Sequence, residues 1–416
     1  MAENINEYSQ KSDPFYKKLL SLWVIIYVLL FMSTSQFSHN ILFSQKWVIW
    51  FGKNIIHLSN LEKIRMTGSG DTTYDYVLIL LILILSVLLA IIIAIADNKR
   101  KNYGQLYLFT IVLARYYVAY TMLVYGFAKV FVGQFPALGY SSLEKTFGDM
   151  SPMGVLWRFM ETSRAYTFFG GLMEVIGGLL LLFRRTKTFG ALFSMTVMVN
   201  IAVLNYTYDV PVKIFSTHII LLCFFILTYE WKKLYNFFIL HKAEILNYNK
   251  LRVRKKWMLI SLKTVKGLLI AYLLYTFLLK PLMNQYTEKV TLEGVYCTEL
   301  FVLNNDTLPF NPMNSARWNK LYIVYDVGVN VVTKENENSW YYCKIDTLQK
   351  TITLKQNSYF PNIFATFSYL LKKDTLFLDG YIQSDSAMII FTRKTKKDYP
   401  LLNRGFHWVN EYPYNR

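Results

Sequence analysis

The sequence is poor in the residues on which most soluble enzyme chemistry rests. Its 416 residues include three cysteines, five histidines and 27 acidic side chains. The histidines, His39, His57, His218, His241 and His407, are scattered. Only His218 falls inside a long apolar run, so the two axial imidazoles of a b-type haem are missing. The chain contains no Cys-x-x-Cys redox pair, no glycine-rich nucleotide loop, no metalloprotease helix motif and no serine elbow. No covalently bound cofactor is expected; any electrons passing through the chain come from a bound partner or a diffusible quinone. The first apolar run is followed by no small-residue cleavage site and reads as a retained helix. No internal repeat or low-complexity tract is evident.

Apolar residues are abundant. The hydrophobic share is 54%, the aromatic share 17% and the charged share 17%, and mean hydropathy is +0.25, a composition that points to a membrane. Apolar runs lie near residues 19–37, 75–96, 105–131, 165–183, 189–207, 212–229 and 258–279. Each is long enough for a hydrocarbon core of about 30 Å, which takes roughly 20 helical residues. Seven spans are predicted, forming an all-α bundle. Residues 44–66 carry Trp47, Trp50, Phe51, Ile55 and Ile56 at helical spacing and read as a helix in the outer interface. Residues 231–257 mix aromatics with basic residues and read either as an amphipathic element on an anionic leaflet or as a connecting helix.

The net charge of +18 raises the question of nucleic acid, but its distribution answers it. The basic residues concentrate in alternate loops: Lys17 and Lys18; Lys99 to Lys101; Arg184, Arg185 and Lys187; then Lys232 to Lys256. The positive-inside rule accounts for this pattern, so no nucleic-acid partner is predicted. The amino terminus is then cytoplasmic, and seven crossings put the carboxyl-terminal region in the periplasm of a bacterial inner membrane.

From residue 281 onward the pattern changes from helical to alternating. The runs VTLEGVYCTELFVL, LYIVYDVGVNVV, SWYYCKIDT, TITLKQ, FATFSYLL, TLFLDGYIQ and SAMIIFTRK read as strands of an all-β small barrel or sandwich. Leu292, Gly294 and Tyr296 at its opening, with Phe391 and Arg393 at its close, are loosely similar to lipocalin-type domains. Cys297 and Cys343 lie 46 positions apart in this region and are either a disulfide pair or two reduced thiols. The aromatic and basic tail RGFHWVNEYPYNR is expected to pack on the barrel or on the outer membrane face. The organisation is thus 1–104, with two spans and the interfacial helix; 105–230, a four-helix module; 231–280, a cytoplasmic segment and the last span; and 281–416, the β domain.

The polar residues inside the apolar runs carry the functional signal. In GGLMEVIGGLLLLF, residues 170–183, Gly170, Gly171, Gly177 and Gly178 stand three or four positions from Glu174, so all five share a helix face that a neighbouring helix can approach closely. A charge at bilayer depth costs about 3 kcal/mol or more and needs a partner or a proton. The 105–131 run offers Arg115 and Lys129 on one face, with Gly126 between them. Depth measured from mid-span favours Arg115 as the partner of Glu174, through two parallel hydrogen bonds. Lys129 is left either to join the site or to snorkel to the interface. Asn200, Asn205 and His218 extend a polar core, with Tyr208, Asp209 and Lys213 at an outer vestibule, unless these groups merely bond the helices together.

RYYVAYTMLVYGFAKV, residues 115–130, resembles the first helix of the DoxX family, with Arg115 near its start and Gly126 and Lys129 at its end. MEVIGGLLLLF resembles the family's second helix through Glu174, Gly177 and Gly178. The likeness covers residues 105–230; the NYTYDVPVK link and the tail suggest the larger DoxX-like proteins of Bacteroidota. It implies a four-helix bundle in the plasma membrane, in a family associated with thiosulfate:quinone oxidoreduction and, more widely, with cargo reception and assembly. Three functions remain open: a binding or assembly factor that holds a lipophilic molecule or another envelope protein; a quinone-linked oxidoreductase with Glu174 as proton relay; and a small-molecule transporter.

Overall fold

Among the described residues of the computed structural model, five helices are long and apolar enough to cross a membrane, and the chain is a multi-pass membrane protein. The structure describes residues 13–34, 45–59, 61, 68–97, 99–131, 133–242, scattered positions between 260 and 276, 292–310, 316–325, 328–334, 337–356 and 362–414. The described residues fall in two compact units, Met1–Phe135 with Ser151–Met283, and Pro136–Met150 with Asn284–Arg416.

The helical unit contains α1 (Phe15–Thr34), α2 (Gln45–Asn54), α3 (Thr73–Ala96), α4 (Gly104–Val130), α5 (Pro152–Thr162), α6 (Arg164–Leu182), α7 (Lys187–Thr207), α8 (Lys213–Thr228) and α9 (Trp231–Phe238). The membrane-length helices are α1, α3, α4, α6 and α7. A sixth span arises if α8 is counted with α9, from which it is bent by 82°. The predicted span over 258–279, with Lys263 and Lys266, lies for the most part outside the described residues, as do residues 243–257.

Local signals start the helices where the sequence changes character. A reciprocal capping box joins Thr72 and Asp75 at the head of α3. Ser151 caps α5 just ahead of Pro152, whose missing N–H costs nothing in a first turn. In α2, Val48 and Phe51 pack on Val77, Leu78 and Leu81 of α3, while Trp47 and Trp50 stay exposed, the division expected of an interfacial helix. The main core joins α4, α6, α7 and α8 through Val118, Met122, Leu181, Ala191 and Ile219, with Val28 and Phe31 of α1.

The second unit is a closed antiparallel barrel. Its strands are β1 (Gly294–Leu303), the two-residue β2 (Asp306–Thr307), β3 (Lys320–Tyr325), β4 (Gly328–Lys334), β5 (Glu337–Asp346), β6 (Thr351–Lys355), β7 (Ile363–Lys372), β8 (Thr375–Ile382) and β9 (Asp385–Lys394). β1 pairs with β2, β3 and β9, the last from Val295–Lys394 to Leu303–Ala387, and sequential strands pair from β3 to β9, so β1 and β3 to β9 close an eight-stranded ring without free edges. The run LYIVYDVGVNVV divides into β3 and β4, one strand more than its unbroken apolar pattern suggests. Fully buried Tyr296, Phe301, Phe367 and Phe391 fill the interior, as an eight-stranded ring of this size requires. The lipocalin-like positions serve closure: the Arg393 guanidinium lies 5.9 Å from the Tyr296 ring centre and donates to Glu293 O at 2.6 and 3.2 Å.

Residues 136–150, placed by the sequence inside the helical module, pack with the barrel. Tyr140 inserts against Val295 and Tyr322. Glu144 accepts from Tyr399 Oη at 2.6 Å, is ion-paired to Lys320 and lies 4.0 Å from Lys394. Burial pushes its carboxyl up, but the hydrogen bonds from Lys320 and Tyr399 outweigh burial and hold it below the usual carboxylate range. The tail does not pack on the barrel: Phe406, Trp408, Val409 and Tyr412 are exposed.

Candidate functional site

Glu174 is buried, and its partner is Lys129: Nζ and Oε1 are 2.5 Å apart. The expected Arg115–Glu174 pair is not formed. Arg115, fourteen residues before Lys129 and hence about 21 Å down the helix, is buried with its guanidinium 4.7 Å from the Tyr116 ring centre, and its Nε lacks a partner among the described residues. Setting the middles of the two spans level put Glu174 beside Arg115, but the register places it opposite the last turns of α4, nearer Lys129. Helical side chains lean toward their own amino terminus. Helices α4 and α6 run antiparallel, with Gly126 beside Gly171 and Leu123 beside Gly178. Lys129 therefore leans down α4 while Glu174 leans toward the start of α6, and the two long side chains converge.

The glycines set how closely these helices approach. A Cβ on Gly126 would lie 2.8 Å from Gly171 O, and one on Gly171 would lie 2.7 Å from Gly126 O. Gly178 faces Leu123 and Ala119 of the same helix pair. Gly177 faces Ser194 of α7 most closely, at 2.6 Å, with Met122 of α4 at 3.4 Å, and Gly170 has nothing within 4 Å and so takes no part in the α4 contact. The helical-face argument groups residues within about 100° of arc, and two different neighbours share that arc.

His218 belongs to another place. Its Nε2 meets Tyr27 Oη at 2.7 Å, its Nδ1 meets Ile214 O at 2.7 Å, and its ring stacks on Phe31 at 4.1 Å. These groups lie on a cleft of about 700 Å³ between α1, the start of α4 and α8, whose wall is largely apolar and includes Val24, Tyr107, Leu222 and Phe225. The volume lies in the range of small-molecule sites, which bury a mostly apolar ligand and orient it with a few polar groups. Glu174 does not line it.

The comparisons with known proteins give one relative. Over 124 residues, 30% of this chain and 79% of the relative, the sequence is 33% identical to the uncharacterized protein YwoB of Bacillus subtilis strain 168. The chain belongs to the family of YwoB. No protein-family model matches the chain. No solved structure matches it. Membership of the YwoB family brings no activity with it, and the larger part of the chain lies outside the YwoB match.

The other predicted polar residues do not form one lining. Asn200 lies on the exposed face of α7. Asn205 is buried, with its Nδ2 unpartnered among the described residues. Asp209 pairs with Lys213 at 2.7 Å, and Tyr208 caps α7 through its backbone. The sequence reading missed the group that organises this rim. Asp71, 142 residues before Lys213, accepts from the Lys213 and Ile214 amides at 2.7 and 2.9 Å and so caps α8 across the fold. Glu230 was also missed; buried at the α8–α9 bend, it pairs with Lys187 at 3.0 Å and Lys233 at 2.9 Å. An Asp just ahead of a capped helix and an acid at the end of an apolar run were the available signals, but neither names a partner so distant in sequence. Cys297 on β1 and Cys343 on β5 are not joined by a disulfide; their strands are not neighbours in the ring.

Proposed function

We propose that the protein is an accessory or assembly factor that holds a lipophilic molecule in the α1–α4–α8 cleft. The observation that carries this reading is the cleft itself: about 700 Å³ of apolar wall with a tyrosine–histidine pair on it. The polar core predicted from sequence divides into a helix-joining ion pair and a ligand cleft. Glu174, sealed between glycines and neutralised by Lys129, supports a structural role, and the oxidoreductase reading that needs a substrate route to it gains no support.

The protein resides in a bacterial inner membrane with its amino terminus cytoplasmic and the barrel periplasmic. The ends of the helices favour this orientation. Asp13 N bonds Lys101 O, and Lys187 pairs with Glu230, so the basic loops gather at one end of the bundle. The DoxX likeness of 115–130 and 173–183 is compatible with a glycine-mediated helix pair closed by Lys129 and Glu174.

Organic extraction of the gently purified chain tests the binding claim. Wild type should release a lipophilic compound in near-stoichiometric amount, and Val24→Trp, which fills the cleft, should release little. Equal yields from the two proteins would refute it.

A further inference from the structure

The hydrogen bonds around the cleft fix what its polar groups have left to offer. Ile214 O can only accept, so the His218 Nδ1 that faces it carries the proton; in the neutral imidazole Nε2 is then the acceptor. Tyr27 Oη must therefore donate to Nε2. At the other end of α8, Thr228 Oγ1 donates its single proton to Phe225 O at 2.6 Å, so Tyr107 Oη, at 2.7 Å, donates to Thr228. Tyr103 Oη likewise faces an acceptor only, Asp97 Oδ2 at 3.3 Å. Tyr27, Tyr103 and Tyr107, three of the four tyrosines on the cleft, thus have their protons committed to the protein and keep only oxygen lone pairs for a guest. Asp13 at the same wall adds a carboxylate, again an acceptor. Ser21 can serve either way, and the Trp23 indole N–H is buried out of reach.

From this pattern we infer that the cleft selects a lipid alcohol: a hydrocarbon body ended by a hydroxyl or phenolic O–H that donates to Tyr27 or Tyr107. The inference rests on the proposed ligand-binding role of the same cleft. Ketone, quinone, ester and ether heads bring further acceptors to Tyr27 and Tyr107, where their lone pairs stay unmatched, and are left with Ser21 or Tyr229 for a donor. A quinol can donate to Tyr27 or Tyr107 where its quinone cannot.

Matched probes separate the two levels of this reading. Bromoundecanol and its methyl ether differ in one O–H, and their bromine quenches a nearby indole. Trp23 lines the cleft, so the signal is the quenching present in the wild-type full chain and absent from Trp23→Phe. The alcohol should act at a concentration about fivefold lower than the ether, the equivalent of one net hydrogen bond. Tyr27→Phe combined with Tyr107→Phe should erase that preference while leaving ether quenching in place. Equal potency of the two probes, a preference for the ether, or a preference that survives the double substitution would overturn the lipid-alcohol inference and leave the ligand site standing. No Trp23-dependent quenching by either probe would overturn the ligand site as well.

Discussion

Removing the Glu174 carboxylate strands the buried Lys129 ammonium without its partner. Glu174→Gln should therefore cost about 3–5 kcal/mol, read as a lower melting temperature in detergent. The Lys129→Met, Glu174→Met double variant should recover most of that loss, because a buried ion pair replaced as a whole by apolar side chains is close to neutral. Arg115→Met should add independently to Glu174→Gln, whereas Lys129→Met should not. At this scale the sequence made the glycine-flanked carboxylate and its need for a cation legible. It could not choose between two cations on one helix face, since that choice depends on the register of α4 against α6 and on side-chain lean.

Helix contacts and strand pairings divide the glycines that matter from those that do not. Gly171→Leu should separate α4 from α6 and destabilise by about 1–3 kcal/mol or more. Gly170→Ala, with open space around it, should leave stability unchanged or raise it by up to about 1 kcal/mol; equal losses at both positions would contradict the contact described. The β alternation was readable because inward and outward residues differ, and closure followed from the need to protect edges; the docking of residues 136–150 left no periodic trace. That docking makes a pH prediction. The folded Glu144 carboxyl lies below its unfolded value, so its stabilisation is complete above the unfolded value near 4.3 and is lost as pH falls through the lower folded value. The barrel's melting temperature should drop across that acid window in wild type. In Glu144→Gln it should already be lower at neutral pH and change less on acidification.

The whole molecule joins a bundle that must satisfy its charges internally to a barrel filled with its own side chains. Charge distribution predicts the helix orientation, and a membrane-impermeant maleimide tests it in intact cells. Leu348→Cys on the exposed β5–β6 turn should be labelled once the outer membrane is permeabilised, and Lys101→Cys only after the inner membrane is opened. The cleft was not legible, because its walls come from α1, α4 and α8, and nothing in one sequence says that Tyr27 meets His218 across 191 positions. On this reading the ion pair holds the helices while the cleft holds the ligand. Native mass spectrometry of folded Glu174→Gln and Val24→Trp proteins separates the two roles. Glu174→Gln should keep the lipophilic adduct per folded molecule, and Val24→Trp should lose it. An adduct lost with Glu174→Gln and retained with Val24→Trp would overturn this division of roles.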